Sequence, residues 1–316
     1  MGDYKLYSED NSLVSKYLNR FTESVADLLS KKVPFQVIYI MPILFLFSGF
    51  ASLFIYSINQ FWFVPLIAVG YIVLNSIAQQ YVHKRKKASI ATELLDALLG
   101  VISLGVFSLL FEGLFATKSW TFLIFVSIGL LANSLTYYQQ FKTGKLSTLR
   151  LGKQEVMIVL AGIILLSNIP EAYEYYHLTI GSYILFDFVL ILFSFAIVVS
   201  MVRVLVRLQN VTYGIWLFFA AMLIIMIFCL LTLTLTQSII VLTLYTALYC
   251  IKLKTATLLD GLERSTGLFT PVVLIASYFM QSLYPTNTFI IITAYLGFSL
   301  IMFCYKSRKM MQQSSE

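Results

Sequence analysis

Two acidic residues stand at the start of an apolar stretch, where they could bind a cation. Glu93 and Asp96 are three residues apart, and this spacing places both carboxylates on roughly one face of a helix. Carboxylate and amide oxygens suit hard divalent cations, and Asn75 could add an amide oxygen. The pair therefore predicts either weak binding of one ion or an ordinary polar pair that the positive end of a helix dipole favours.

A third carboxylate, Asp187, lies inside a long apolar stretch. An ionisable residue at membrane depth is a candidate for a functional site, because placing it against lipid costs at least about 2.5 kcal/mol. The alternatives are a hydrogen bond to a neighbouring helix or pairing with a base near a helix end. In each case we expect Asp187 to face protein or water, with a donor from another helix within reach.

The second apolar stretch is followed by a basic run, His83-Lys84-Arg85-Lys86-Lys87, and the fourth is followed by Lys142. Such side chains could contact lipid phosphates. The alternative is a set of solvated bases that only marks one side of the membrane. We take Lys84, Arg85, Lys86 and Lys142 as the candidate headgroup contacts.

The elements that must position these residues are apolar stretches of membrane-spanning length. Apolar residues make up 59% of the chain and the mean hydropathy is +0.85, which is more apolar surface than a soluble domain of this length can cover. In a bilayer each stretch must close its own backbone hydrogen bonds as a helix. We predict ten spans, at 35–58, 61–82, 91–115, 119–140, 155–170, 179–202, 212–235, 237–251, 268–283 and 287–305.

The basic residues fall almost entirely on one side of these predicted spans. When the gaps are assigned alternately to two sides, one side holds 21 of the 22 lysines and arginines and the other holds only Lys118. Cytoplasmic loops carry such an excess. The split predicts that both termini share this basic side with the loops at 83–90, 141–154 and 252–267. The net charge of +7 is thus a topology signal, and we expect no nucleic-acid partner.

The pattern divides the chain into three segments. Residues 1–33 carry apolar side chains at helical spacing with charges between them, which predicts an amphipathic helix in the membrane interface that ends before Pro34. This helix either anchors the first span or caps a site near the membrane surface. Residues 34–306 form an all-α polytopic membrane domain of about ten helices, and residues 307–316 form a short polar tail.

Five short motifs carry a resemblance to one enzyme family. They are Tyr4-Lys5-Leu6-Tyr7, Asn11-Ser12-Leu13-Val14-Ser15-Lys16-Tyr17, Leu46-Phe47-Ser48-Gly49-Phe50, Glu93-Leu94-Leu95-Asp96 and Lys142-Thr143-Gly144-Lys145-Leu146. In order and spacing they resemble the eukaryotic choline/ethanolamine phosphotransferases, which move a phosphoalcohol from a CDP-alcohol onto diacylglycerol. The resemblance implies a CDP-alcohol phosphotransferase-like fold of ten spans.

The family signature, Asp-x2-Asp-Gly-x2-Ala-Arg-x8-Gly-x3-Asp-x3-Asp, is degenerate in this chain. Its aspartates hold two divalent metals that bind the diphosphate, and the last aspartate is assigned as the general base. Aligned on Asp96, one aspartate survives and the charge of two metals would be left largely uncompensated. The eight signature positions are Asn75, Ala78, Gln79, Val82, His83, Thr92, Asp96 and Gly100.

A second family motif, Glu-Glu-Tyr-His-Thr-Gly, corresponds to Gln139-Gln140-Phe141-Lys142-Thr143-Gly144. Two carboxylates are replaced by amides and the histidine by a lysine. The resemblance therefore implies a chain in which no catalytic residue, metal or other cofactor is expected, with Glu93 and Asp96 as the only weak metal candidates.

We interpret the sequence as a catalytically silent relative that serves as a structural or lipid-binding subunit of a membrane complex. Two alternatives stay open. One is an active choline/ethanolamine phosphotransferase with a rebuilt site that uses Mg or Mn, and the other is a small-molecule transporter, against which the lack of internal repeats counts. Expected partners are membrane phospholipids and either other membrane subunits or a second copy. The location is the endoplasmic reticulum, as the family implies, or the mitochondrial inner membrane for a repurposed subunit.

Overall fold

Helices make up nearly all of the computed structural model, which describes residues 8–9, 13–29, 33–56, 60–85, 90–112, 119–144, 146–147, 153–208, 210–280 and 285–313. Four short strands accompany them: β1 (Ser8–Glu9), β2 (Leu146–Ser147), β3 (Thr179–Ile180) and β4 (Tyr183–Ile184). The helices are α1 (Leu13–Leu28), α2 (Phe35–Tyr56), α3 (Gln60–Arg85), α4 (Ile90–Glu112), α5 (Ser119–Thr143), α6 (Lys153–Leu166), α7 (Pro170–Tyr176), α8 (Leu185–Arg207), α9 (Tyr213–Thr232), α10 (Leu235–Thr255), α11 (Phe269–Met280) and α12 (Pro285–Gln313).

Among the described residues, seven helices are long and apolar enough to cross a membrane: α3, α4, α5, α8, α9, α10 and α12. An all-α polytopic membrane protein, as predicted, is therefore confirmed at this level. A described helix overlaps each of the ten predicted stretches. The helices α2, α6 and α11 are not among the seven long apolar ones.

The sixth predicted span begins differently from the expectation. The chain forms a two-stranded antiparallel hairpin of β3 and β4 before α8 begins at Leu185. Gly181 in the turn has φ +64°, a left-handed conformation that glycine adopts without steric cost. A continuous helix from residue 179 was therefore the wrong prediction, because an apolar pattern does not distinguish a short hairpin from the first turns of a helix.

The C-terminal ends of α10 and α12 lie beyond the predicted ends of their spans. α10 continues to Thr255 and ends in one π-helical turn, Ala256–Asp260, followed by Gly261 at φ +67°. Lys254, which the charge pattern assigned to a loop, is therefore inside a helix, and it is only 1% exposed. At the C-terminus α12 runs to Gln313, so most of the predicted polar tail is helical.

α10 is the central helix of the described structure. It packs against α4, α5, α9 and α12, and most of its residues are buried. α4 approaches it closely at Gly105, where a Cβ would overlap the side chain of Thr243. Because small residues let helix backbones approach in a membrane, this contact fixes α4 beside α10 and brings their polar ends together.

The N-terminal helix α1 lies against α3. Ala26 of α1 is buried in a cluster with Ile38, Ala78 and Tyr81, and the Tyr81 hydroxyl donates to the carbonyl of Val33 at 2.9 Å. Thus α1 and the start of α2 cover the surface of α3 that includes Ala78. This packing shows that α1 covers a signature position.

The apolar stripe of α1 is not the face that packs against α3. Phe21 and Leu28 are exposed, whereas Thr22 and Ala26 are buried. Phe21 and Leu28 therefore point away from the protein, whereas Leu18 of the same helix packs against the core.

The strands β1 and β2 connect the N-terminal segment to the loop after α5. They pair in parallel, with Ser8 opposite Leu146 and Glu9 opposite Ser147. The N-terminal segment and this loop therefore lie at the same end of the molecule.

Candidate functional site

A buried ion pair joins two helices at the basic end of the molecule. Lys254 stands in the last turn of α10 and Glu93 in the first turn of α4. The Lys254 Nζ and Glu93 Oε2 atoms are 2.6 Å apart, with side-chain exposures of 1% and 14%. At this distance the ammonium and the carboxylate form a charge-assisted hydrogen bond.

A third helix completes the site. Lys254 Nζ also donates to the side-chain carbonyl Oε1 of Gln140 at 3.0 Å, and Gln140 is buried in the last turns of α5. The ammonium therefore contacts oxygen atoms from both α4 and α5. Tyr137, one turn before Gln140, is buried with Asp96 and Glu93 among its electrostatic neighbours.

The contribution of this ion pair to stability depends on whether Lys254 has both a counter-charge and further hydrogen-bond acceptors. A buried lysine loses its hydration, and that loss is offset only when its partners supply both charge and hydrogen bonds. Here Glu93 supplies a charge and Gln140 supplies a second acceptor. The arrangement can hold three helix ends in register, and it leaves the Glu93 carboxylate already neutralised by a cation that belongs to the chain.

Two of the aligned positions near this ion pair, Ala78 and Gly100, are engaged in packing and in a hydrogen bond. Ala78 is buried in the cluster that α1 covers. The backbone carbonyl of Gly100 accepts from the Ser103 hydroxyl at 3.0 Å, and Ser103 in turn accepts from the Tyr71 hydroxyl at 2.7 Å. This chain joins α3 to α4. Asn75 is partly exposed on α3.

The donor set does not fit a pair of divalent metals. Ala78 and Gly100 have no side-chain oxygen, and Glu93 is bound to Lys254. Within the described ranges no group of three or more histidine, cysteine, aspartate or glutamate side chains comes together. Glu93 and Asp96 are one turn apart at the start of α4, as the sequence predicted, and both are partly buried.

The candidate headgroup contacts are described only in part. Lys86 lies outside the described residues, and the side chains of His83, Lys84 and Arg85 are also outside the description although α3 runs to Arg85. Lys142 is described: its Nζ lies 5.9 Å from the ring centroids of both Tyr138 and Phe141. It is partly exposed at the end of α5, at the same end of the molecule as the ion pair.

A second polar network lies beside the ion pair at the basic end. The Glu263 carboxylate accepts from the Thr212 hydroxyl and from the Tyr249 hydroxyl, the latter at 3.2 Å. Because Thr212 donates to Glu263, the Tyr138 hydroxyl donates to Thr212 Oγ1 at 2.7 Å. The network fastens the loop before α9 and the segment after α10 to α5.

Asp187 belongs to the opposite end of the molecule. It is buried in the first turn of α8, and its Oδ1 accepts from the Thr121 hydroxyl of α5 at 2.5 Å. Its Oδ2 accepts from the backbone N–H of Ile184 at 3.2 Å. The donor from another helix that the sequence predicted is therefore Thr121. Asp187 also has the geometry of the third residue of a capping box, whose carboxylate accepts from the backbone N–H of the N-cap residue, here Ile184.

Comparisons with known proteins leave the family undetermined. No protein-family model matches the chain, and no curated protein matches it.

Lys254 is the residue of this site that the sequence analysis missed. The helical signal was present, since apolar residues continue through Leu253, Ala256 and Leu258, and a base between them lies within a helix rather than after it. Gln140 was noted only as an amide in a degenerate motif, whereas in the structure it is a ligand of the Lys254 ammonium.

Proposed function

We propose that this chain is a catalytically silent, CDP-alcohol phosphotransferase-like membrane protein that serves as a structural or lipid-binding subunit of a membrane complex. The observation that carries the proposal is the contact of Lys254 with Glu93 and Gln140. An ammonium fixed in this position repels a divalent cation from the carboxylate. A metal-dependent reaction on a diphosphate would have to displace it, at the cost of an unpaired buried charge.

Two further contacts support a silent site. Ala78 is packed under α1, so the position where the family has a second aspartate is filled by apolar side chains. Gly100, at the position of the family's general base, offers only a backbone carbonyl that already accepts from Ser103. Electrostatic stabilisation and general base catalysis are both large terms in enzymatic rates, and these positions supply neither.

A role in a membrane complex is supported by the surface of the helices. Large apolar side chains of α8 and α12, among them Leu192, Phe195, Phe298 and Ile301, are exposed in the isolated chain. Such surfaces require lipid or another membrane protein as their environment. The proposal includes ten crossings with both termini on the basic side, in the endoplasmic reticulum or the mitochondrial inner membrane. The pairing of β1 with β2 supports one part of it, a shared side for the N-terminal strand and the loop after α5.

The decisive experiment is a phosphotransferase assay. Purified protein would be given CDP-choline or CDP-ethanolamine, diacylglycerol and Mg²⁺ or Mn²⁺, with an active phosphotransferase of the same class as the positive control. We expect no metal-dependent turnover and a lipid among the co-purified molecules. Turnover that disappears in Asp96→Ala would instead establish the active enzyme with a rebuilt site.

The topology is tested separately by cysteine labelling from each side of the membrane. Leu146→Cys and Glu174→Cys are introduced one at a time with Cys304 replaced by serine, because Cys229 and Cys250 are buried. We expect the two positions to react from opposite sides. Labelling of both from the same side would contradict the ten-span arrangement.

A further inference from the structure

The connector between α6 and α8, residues 167–184, exposes apolar and aromatic side chains. It contains α7 and the β3–β4 hairpin. Loops between helices are designed or selected to be polar, whereas this connector exposes five large apolar or aromatic side chains. They are Ile169, Tyr173, Tyr175, Leu178 and Ile180, between 38% and 66% exposed.

The length of α6 determines the depth at which the connector begins. α6 has 14 residues, which at a rise of 1.5 Å per residue extend about 21 Å. The hydrocarbon core of a bilayer is about 30 Å thick. With Lys153 at the basic surface, the chain therefore leaves α6 before it has reached the opposite surface, and the connector starts inside the membrane boundary.

The length of α8, the helix after the connector, independently gives the same depth in the membrane for the connector. Arg203 is exposed near the basic end of α8, and Leu185 at the other end is 18 residues away. This separation corresponds to about 27 Å along the helix axis, so the connector also ends near the hydrocarbon boundary. Trp120 at the start of α5 contacts Tyr183 edge-on, with ring centroids 5.9 Å apart. Aromatic rings concentrate at this level of a membrane.

Some residues of the connector pack or hydrogen-bond against α8, and the remaining residues are exposed. Tyr176 of α7 packs edge-on against the buried Phe186 of α8, with ring centroids 6.2 Å apart. The Leu185 backbone N–H donates to the carbonyl of Leu178 at 2.9 Å. Glu171 and Glu174 are exposed, and the sequence 167–184 contains no lysine or arginine. This charge disfavours an anionic lipid surface.

We propose that residues 167–184 form an interfacial lipid-binding surface that lies in the headgroup–acyl boundary of the leaflet opposite the basic side. Its partner is a zwitterionic bilayer surface. The exposed tyrosine, leucine and isoleucine side chains enter the boundary, and Glu171 and Glu174 remain at the water level. This inference rests on the ten-span topology of the proposed function and on the lengths of α6 and α8, and it does not depend on whether the chain is catalytically silent.

The test measures the depth of spin labels in phosphatidylcholine nanodiscs. Nitroxides are attached at Tyr175→Cys and Leu178→Cys in the full chain carrying Cys304→Ser. Leu192→Cys, on the exposed face of α8, serves as the deep control, and Thr143→Cys, exposed at the end of α5, serves as the aqueous control. Collision with oxygen reports the membrane interior, and collision with a water-soluble nickel chelate reports the aqueous phase.

We expect the labels at 175 and 178 to lie about 5–10 Å inside the phosphate level, shallower than position 192 and deeper than position 143. Nickel accessibility equal to that of position 143 would overturn the proposal. Shielding from both reagents would also overturn it, because another protein or a second copy would then cover the connector.

A label-free measurement keeps the proposal testable if a cysteine variant does not fold. Hydroxyl-radical footprinting compares Tyr175, which is 66% exposed in the isolated chain, in the unmodified protein in the same nanodiscs and in the denatured chain. We expect Tyr175 to be oxidised much less in nanodiscs than in the denatured chain. Equal oxidation in the two states would place the connector in water and contradict the proposal.

Discussion

Each end of the helical bundle holds a buried carboxylate in the first turn of a helix, but the two are held in different ways. Glu93 of α4 contacts the ammonium of Lys254, which comes from α10. Asp187 of α8 accepts from the hydroxyl of Thr121 and from the backbone N–H of Ile184. One carboxylate is paired with a full charge and the other with neutral donors.

The difference shows that a carboxylate at an end of the bundle can join helices either through a full charge or through neutral donors. The positive end of a helix dipole already stabilises an acid in the first turn, and Asp187 adds one hydrogen bond at the start of α8 and one to Thr121 of α5. Glu93 has the same advantage in α4. Its additional partner is a buried lysine whose own charge requires it, and the pair therefore ties α4 to α10 with Gln140 of α5 as the third member.

The largest loss of stability is expected when Lys254 is replaced. Lys254→Met leaves Glu93 buried without a counter-charge, and breaking a buried pair in this way costs about 3–5 kcal/mol. The measurement is thermal unfolding in nanodiscs. The double variant Glu93→Met with Lys254→Met removes both charges and should recover most of the loss. If the double variant is no more stable than the single one, the ion pair is not the cause.

Loss of the amide ligand is expected to have the next largest effect. Gln140→Leu removes one acceptor from the Lys254 ammonium, and a hydrogen bond to a charged group contributes about 1.5–3 kcal/mol. A comparison with Gln139→Leu on the same helix, measured by the same unfolding method, controls for helix propensity. Equal stability of the two variants would show that the Gln140 side chain does not stabilise the ion pair.

The cap at the opposite end should have a smaller effect. Asp187→Ala removes the acceptor of Thr121 and of the Ile184 N–H, and loss of an N-terminal capping side chain costs about 0.5–2 kcal/mol. Asp187→Asn retains an oxygen acceptor and should lose less. Unfolding and the proteolysis rate at residues 179–184 report the effect. A loss as large as that of Lys254→Met would contradict the distinction between a carboxylate held by neutral donors and one held by a full charge.

The smallest effect is expected where a carboxylate is not buried. Glu112 accepts from the Thr236 hydroxyl at 3.2 and 3.3 Å in an exposed contact. Thr236→Val should change the free energy of unfolding by no more than about 0.5 kcal/mol, as is usual for surface substitutions. A change above 1 kcal/mol would mean that burial does not decide which of these carboxylates matter.

The apolar stretches were enough to predict an all-α protein with several membrane-spanning helices, and the intramembrane position of Asp187 was enough to predict a donor from another helix. Both inferences depend on local chemistry, namely backbone hydrogen bonds and the cost of an unpaired charge in lipid. They needed no knowledge of which helices are neighbours.

The ion pair could not be predicted in this way. Lys254 follows Lys252 by two residues at the end of an apolar stretch, a charge pattern that is typical of a loop. Only the packing of α10 in the middle of the bundle makes Lys254 a buried residue. The choice of Glu93 and Gln140 as its ligands depends on which helices surround α10. The hairpin at 179–184 was missed for a related reason, since its apolar residues match the first turns of a membrane helix.

The order in which the ribosome makes the two halves of the ion pair sets a requirement on membrane insertion. Lys254 follows Glu93 by 161 residues in the chain, and at about 5–20 residues per second this corresponds to roughly 8–30 s of synthesis. During this interval α4 exists without the counter-charge of its carboxylate. The nascent chain must therefore keep Glu93 in contact with water, or carry it protonated, until α10 arrives.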